Sequence, residues 1–151
     1  MISTQVLTLS MGFVLVMGLF SGCTSQSKYG DQGKAELLKE NPLEPCPDSP
    51  NCVRESREVG VASDGAIKAA KKAIGVMDGK ITSGEEDEII ESEFKAFVFT
   101  DDFEMAVTPL ESDSTHSVIH IRSYSRVGKS DLGVNPKRVT TFWEILSEHL
   151  D

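Results

Sequence analysis

The chain has 151 residues with 24 Asp and Glu against 15 Lys and Arg, a formal net charge of −9 at pH 7. That length holds one domain with its own hydrophobic core and leaves little room for a second. So acidic a surface repels nucleic acid and anionic lipid headgroups, which excludes nucleic acid as an expected partner.

In chain order, the first feature is a stretch from Met1 to Gly22 without a charged side chain, nearly continuously apolar from Val6 to Phe20. This is the layout of a signal-peptide core, shorter than the roughly 20 residues that a bilayer helix needs. Leu19-Phe20-Ser21-Gly22-Cys23 follows and resembles the lipobox of bacterial lipoproteins. The resemblance implies cleavage after residue 22, a lipid on Cys23, and membrane contact made through that lipid. The alternative is an uncleaved single-span anchor. Thr24 carries no Asp-type retention signal, so in a Gram-negative host the expected location is the outer membrane, facing the periplasm.

Residues 23–44 are polar, with Gly30, Gly33 and Pro42 and no sustained period, and read as a tether apart from a helical turn at Ala35–Lys39. Cys46 and Cys52 stand on either side of Pro47-Asp48-Ser49-Pro50-Asn51. Export favours a disulfide between them, and the turn formers bend the loop for it. A metal or redox pair is the other reading, but two thiolates make only half of a tetrahedral set. No metal or other cofactor is expected.

A helix is expected from Asp64, acting as N-cap, with Ile67, Ala70, Ile74 and Met77 on one face and a stop at Asp78-Gly79. Strands follow at Lys80–Ser83 and Glu88–Phe94, joined by the solvated acid run Gly84–Asp87. The parity change between Phe94 and Phe97 predicts a bulge near Lys95, and Asp101-Asp102 a hairpin turn. Phe103, Met105 and Val107 alternate with polar neighbours, as do Ile119 and Ile121, giving two half-buried strands. The last helix starts with Asn135 as N-cap and Pro136 at the first helical position, with Val139, Phe142, Trp143, Leu146 and Leu150 on one face. The expected fold is α+β: about four antiparallel strands in residues 45–151, with a helix before them and a C-terminal helix packed on one sheet face.

Catalytic signatures are sparse. Gly75–Lys80 has its glycines too close for a phosphate loop and Ile81 where Ser or Thr belongs, and there is no dinucleotide fingerprint or nucleophile elbow. His116 and His120 lie on a strand, roughly 13 Å apart, too far to share an ion. The densest polar segment runs from Ile121 to Asn135. Its arginines and hydroxyls suit an anion, or pair with Asp101, Asp102, Glu104 or Asp131 in a structural network; the second reading predicts that Arg126→Ala destabilises the domain.

Three blocks, Cys46-Pro47-Asp48-Ser49-Pro50-Asn51-Cys52-Val53, Phe97-x-Phe99-x-Asp101-Asp102, and Arg122-Ser123-x-Ser125-Arg126-Val127-Gly128-x-Ser130-Asp131-Leu132-Gly133-x-Asn135-x-x-Arg138, together resemble the family catalogued as domain of unknown function 1499. The likeness runs from about Leu43 to Leu150. It implies a small bacterial protein, often exported or lipidated, and brings no established activity.

The function expected is a membrane-anchored envelope module that binds a small ligand or an envelope protein. Its surface would be the open sheet face near Glu104, His120, Arg122 and Tyr124 with the Arg126–Asp131 loop. The alternatives are a purely structural lipoprotein and a cofactor-free hydrolase or isomerase, with Asp101 or Asp102 as base and Arg122 or Arg126 stabilising an oxyanion.

Overall fold

A computed structural model describes residues 41–84 and 89–150. The signal segment, Cys23, the tether up to residue 40 with its helical turn, and the acid run at Glu85–Asp87 lie outside the described residues. Within them the chain makes β1 (Cys52–Val59), α1 (Ser63–Val76), β2 (Lys80–Ser83), β3 (Ile90–Ala96), β4 (Phe99–Leu110), β5 (Asp113–Ser125) and α2 (Val134–Ser147). All strand pairs are antiparallel, and the sheet order is β1-β5-β4-β3-β2. The α+β class is as expected, with one strand more than the alternation revealed.

Alternation sorts each strand into two faces. Val59, Ile90, Phe94, Phe103, Met105, Ile119 and Ile121 point to one side, where both helices lie and the core forms. The second helix buries the expected Val139, Phe142, Trp143 and Leu146, with Leu150 packed at its margin. Phe94, Phe103, Phe142 and Trp143 make a chain of ring contacts with centroids 5.1–5.8 Å apart. The first helix instead buries Ala66, Ala69, Ala70, Ala73 and Ile74, while Ile67 and Met77 sit at the margin. Small side chains let a helix backbone approach its neighbours closely, so the alanines face inward and the larger residues form the rim.

Four local expectations are corrected. The N-cap of α1 is Ala62, with Asp64 inside the first turn, where its carboxylate complements the helix dipole. The turn between β3 and β4 is Phe97-Val98, so the parity change reflects a hairpin reversal. Asp101 and Asp102 consequently lie inside β4, pointing to opposite faces. At α2 the N-cap is Gly133 at φ 82°, and Asn135 lies inside the helix, fully buried. Its amide makes better bonds with buried side chains than it could at an exposed helix end.

The α1 stop is as expected: Asp78 has φ 60°, and Gly79 N–H bonds the Ile74 carbonyl at 2.9 Å. A Cβ on Gly79 would come within 2.5 Å of Phe94 and 2.7 Å of the Ile74 side chain, so only glycine fits. The predicted Cys46–Cys52 disulfide is present, with Cα atoms 5.7 Å apart.

The expected tether ends too late. Asn41 and Leu43 are buried against the sheet, where Arg54 donates to both their carbonyls at 2.7 and 3.0 Å. The Asn41 amide reaches Ser56 Oγ at 3.0 Å. The core, the disulfide and the Asn41–Leu43 segment thus all fall between Asn41 and Leu150, so this stretch carries its own core, which is what a domain needs in order to fold alone.

Candidate functional site

The three sequence blocks meet at one end of the sheet. The β4–β5 register sets Asp101 opposite Ser125 and Phe103 opposite Ser123, so the first pair lies on the helix side, one step beyond the aromatic core. Helix α2 brings Asn135 and Arg138, one turn apart, down onto them. Arg138 donates to Asp101 Oδ2 at 2.7 Å, Ser123 Oγ at 3.0 Å and Asn135 Oδ1 at 2.5 Å. Ser123 donates to the same Asn135 oxygen at 2.6 Å. The Asn135 amide nitrogen completes the set with Ser125 Oγ at 3.0 Å and the Asn51 carbonyl at 3.1 Å.

Asp101 is 2% exposed and Arg138 8%, so this is a desolvated ion pair, stable because further hydrogen bonds saturate the guanidinium and its partners. Arg138 also sits 4.9 Å from the Phe94 ring centroid. Asn51 ties in the disulfide loop by donating to the Gly128 carbonyl at 2.8 Å.

Beside this network opens a cleft of about 450 Å³. Phe97 and Phe99 from the hairpin, Val127 and Leu132 from the β5–α2 loop, and Val134 wall it. Asp101, Ser125, Ser130 and Asp131 contribute its polar lining. Phe97 is 93% exposed and Leu132 92%. Both are held at left-handed backbone angles, φ 56° and 54°. Bulky side chains rarely take that conformation, which costs on the order of 1–3 kcal/mol and persists where surroundings enforce it. A second cleft, of about 590 Å³, lies across Phe97 between Met77, Phe94, Lys137 and Ile145, with Lys95, Lys137, Arg138 and Thr141 as its polar lining.

The predicted site residues divide among three places. Asp101, Ser123, Ser125, Asn135 and Arg138 form the buried network. Asp131 and Ser130 shape the loop: Asp131 accepts from the Gly133 and Asn135 N–H groups at 3.0 and 2.7 Å. These donors outweigh the burial that alone would raise its pKa, and hold it below the usual value. Ser130 Oγ accepts from Leu132 N–H at 3.4 Å.

Asp102, Arg122 and Arg126 lie on the opposite sheet face. Arg126 pairs with Asp102 at 2.7 Å and Glu93 at 2.5 Å, raising the guanidinium pKa and lowering that of Glu93. Arg122 pairs with Glu104 at 3.1 Å and stacks 4.1 Å from the Tyr124 ring centroid. Burial, with Glu104 next, pushes the Tyr124 hydroxyl up to about 12. Arg122 and Arg126 therefore lie across the sheet from Asp101, and Asp102 is engaged by Arg126.

The histidines are also separate. His116 contacts Asp113 at 3.0 Å near the β4–β5 turn. His120 is buried, its two ring nitrogens 2.9 Å from the Ser56 and Thr108 hydroxyls. No group of three or more His, Cys, Asp or Glu suited to a metal occurs among the described residues.

The sequence does not single out Phe97, Phe99 and Leu132 as cleft walls, nor Asn51 and Glu93 as partners. The signal was there in large apolar residues at turn positions, above all Leu132 between Asp131 and Gly133.

An antiparallel sheet roofed on one face by two helices, with a polar network sealing one end, defines a small α+β domain. The chain belongs to the family described as a protein of unknown function, DUF1499, whose pattern matches residues 42–146. No curated protein matches the chain.

Proposed function

We propose that the protein is a ligand-binding module of the cell envelope, held to the membrane by a lipid on Cys23, with the 450 Å³ cleft as its binding site. The observation that carries the reading is the pair of strained lips. Phe97 and Leu132, the most exposed large apolar residues described, both line this cleft and both sit at positive φ. Exposed apolar area and backbone strain each disfavour the free protein, and a ligand filling the cleft would offset both. The buried Arg138 network makes the floor rigid, which limits the ordering cost of binding. Soluble ligand sites commonly combine apolar walls with a few placed polar groups in this way.

The test uses residues 41–151 and N-phenyl-1-naphthylamine, an uncharged apolar fluorophore. Saturable enhancement at one site is expected, with at least a tenfold loss in Phe97→Asp and Leu132→Asp, an order of magnitude set by burying a charge in an apolar wall. Equal enhancement in these variants and the parent would contradict the reading.

A further inference from the structure

The polar lining of this cleft has unused hydrogen-bonding capacity of two complementary kinds. Asp101 gives one oxygen, Oδ2, to Arg138, and its Oδ1 accepts no side-chain or backbone donor among the described residues. Ser125 Oγ accepts from Asn135, and its own O–H finds no acceptor among the described residues. The two are cross-strand partners, directly opposite in the register, with side chains on one face and Cβ atoms roughly 5 Å apart. An acceptor and a rotatable hydroxyl donor therefore stand side by side beneath apolar walls.

Charge narrows the class further. The Asp101 carboxylate is neutralised by Arg138 at 2.7 Å, so the floor makes no strong demand for a cation, while a ligand carboxylate facing Oδ1 would be repelled. Asp131 is turned to the Gly133 and Asn135 N–H groups, and those donors satisfy it without a ligand. The head group that satisfies both vacant positions is uncharged, with a donor to reach Asp101 Oδ1 adjacent to an acceptor for Ser125 O–H. We infer that the cleft takes an uncharged amphiphile: an apolar body whose head presents a donor beside an acceptor, as a carboxamide does.

This inference rests on the cleft being the binding site, and the experiment separates the two claims. Residues 41–151 are titrated, with amide chemical shifts as readout, with four probes sharing one chain length: octanamide, methyl octanoate, octylammonium and octanoate. Octanamide should perturb the amides of Phe97–Asp101 and Ser125–Val134 and bind about tenfold more tightly than each of the others, the worth of one net hydrogen bond. Ser125→Ala should weaken octanamide and methyl octanoate, which both need its hydroxyl, and leave octylammonium unchanged. Asn135 keeps the Asn51 carbonyl in that variant, so the network survives. Equal affinity for all four probes, or tightest binding of octanoate or octylammonium, would overturn the head-group inference and leave the cleft standing. Perturbation by none of them at these residues would overturn both.

Discussion

Two arginines a short distance apart in sequence illustrate how burial sets the value of an ion pair. Arg138 holds Asp101 inside the domain, and Arg138→Ala strands a buried carboxylate at a cost of about 3–5 kcal/mol. A fall in melting temperature of about 10 °C or more is expected for a domain of this size. Arg126 has the same charge and three carboxylate-facing hydrogen bonds to Asp102, but its side chain is 47% exposed. Solvent screens that pair, so Arg126→Ala should melt close to the parent, in place of the destabilisation expected from sequence. The residue types of the network were legible as one motif; which arginine faced inward was not, because Arg122, Arg126 and Arg138 look alike until the strand parity and the α2 phase are known.

His120 gives a pH prediction. Burial, with the Arg54 charge next, lowers its pKa from 6.5 to about 4, so the fold favours the neutral ring. Stability from this group is present above the unfolded pKa and is lost as pH falls from about 6.5 towards 4, on the order of 2 kcal/mol. Denaturant melts of the parent and His120→Gln at pH 7 and pH 4.5 check this; the parent should lose more on acidification. Equal losses would mean that His120 is not held neutral.

At the scale of elements, the β5–α2 connection joins stability to site shape. Asp131 satisfies helix N-terminal N–H groups although it precedes the N-cap, and Asp131→Ala should cost about 1 kcal/mol. The strand β4 and helix α2 could be read from the chain, since Phe103-Met105-Val107 and Val139-Phe142-Trp143-Leu146 keep clean periods. Strand β1 could not. Its helix-side positions are Val53, Glu55, Arg57 and Val59, and the two charged ones obscure the alternation. They belong to a sheet edge, where inward charge is tolerated because the aliphatic stems cover apolar surface. Arg57 does so over Trp143, 4.5 Å from its centroid, and pairs with Glu55 at 2.9 Å. The hairpin is hidden in the sequence for a related reason: its first loop position, which glycine normally fills, is Phe97 at φ 56°.

For the whole molecule, the proposed lipid anchor and the cleft make separate demands. If Cys23 carries the lipid, Cys23→Ala abolishes palmitate incorporation; labelling that persists in the variant would sink that part of the proposal. The cleft makes its own demand on stability. A protein that keeps bulky residues at left-handed angles to shape a binding site should become more stable, and bind less, when that strain is released. Leu132→Gly isolates the trade, because Leu132 projects into solvent and its loss leaves the core untouched. The most direct measurement is the melting temperature of residues 41–151 and of Leu132→Gly, each with and without N-phenyl-1-naphthylamine. The expected result is a variant that melts higher than the parent, by the worth of about 1 kcal/mol, and that gains little from the fluorophore while the parent gains clearly. A variant that melts lower and is stabilised by the fluorophore as much as the parent would contradict the assignment of this cleft as the binding site.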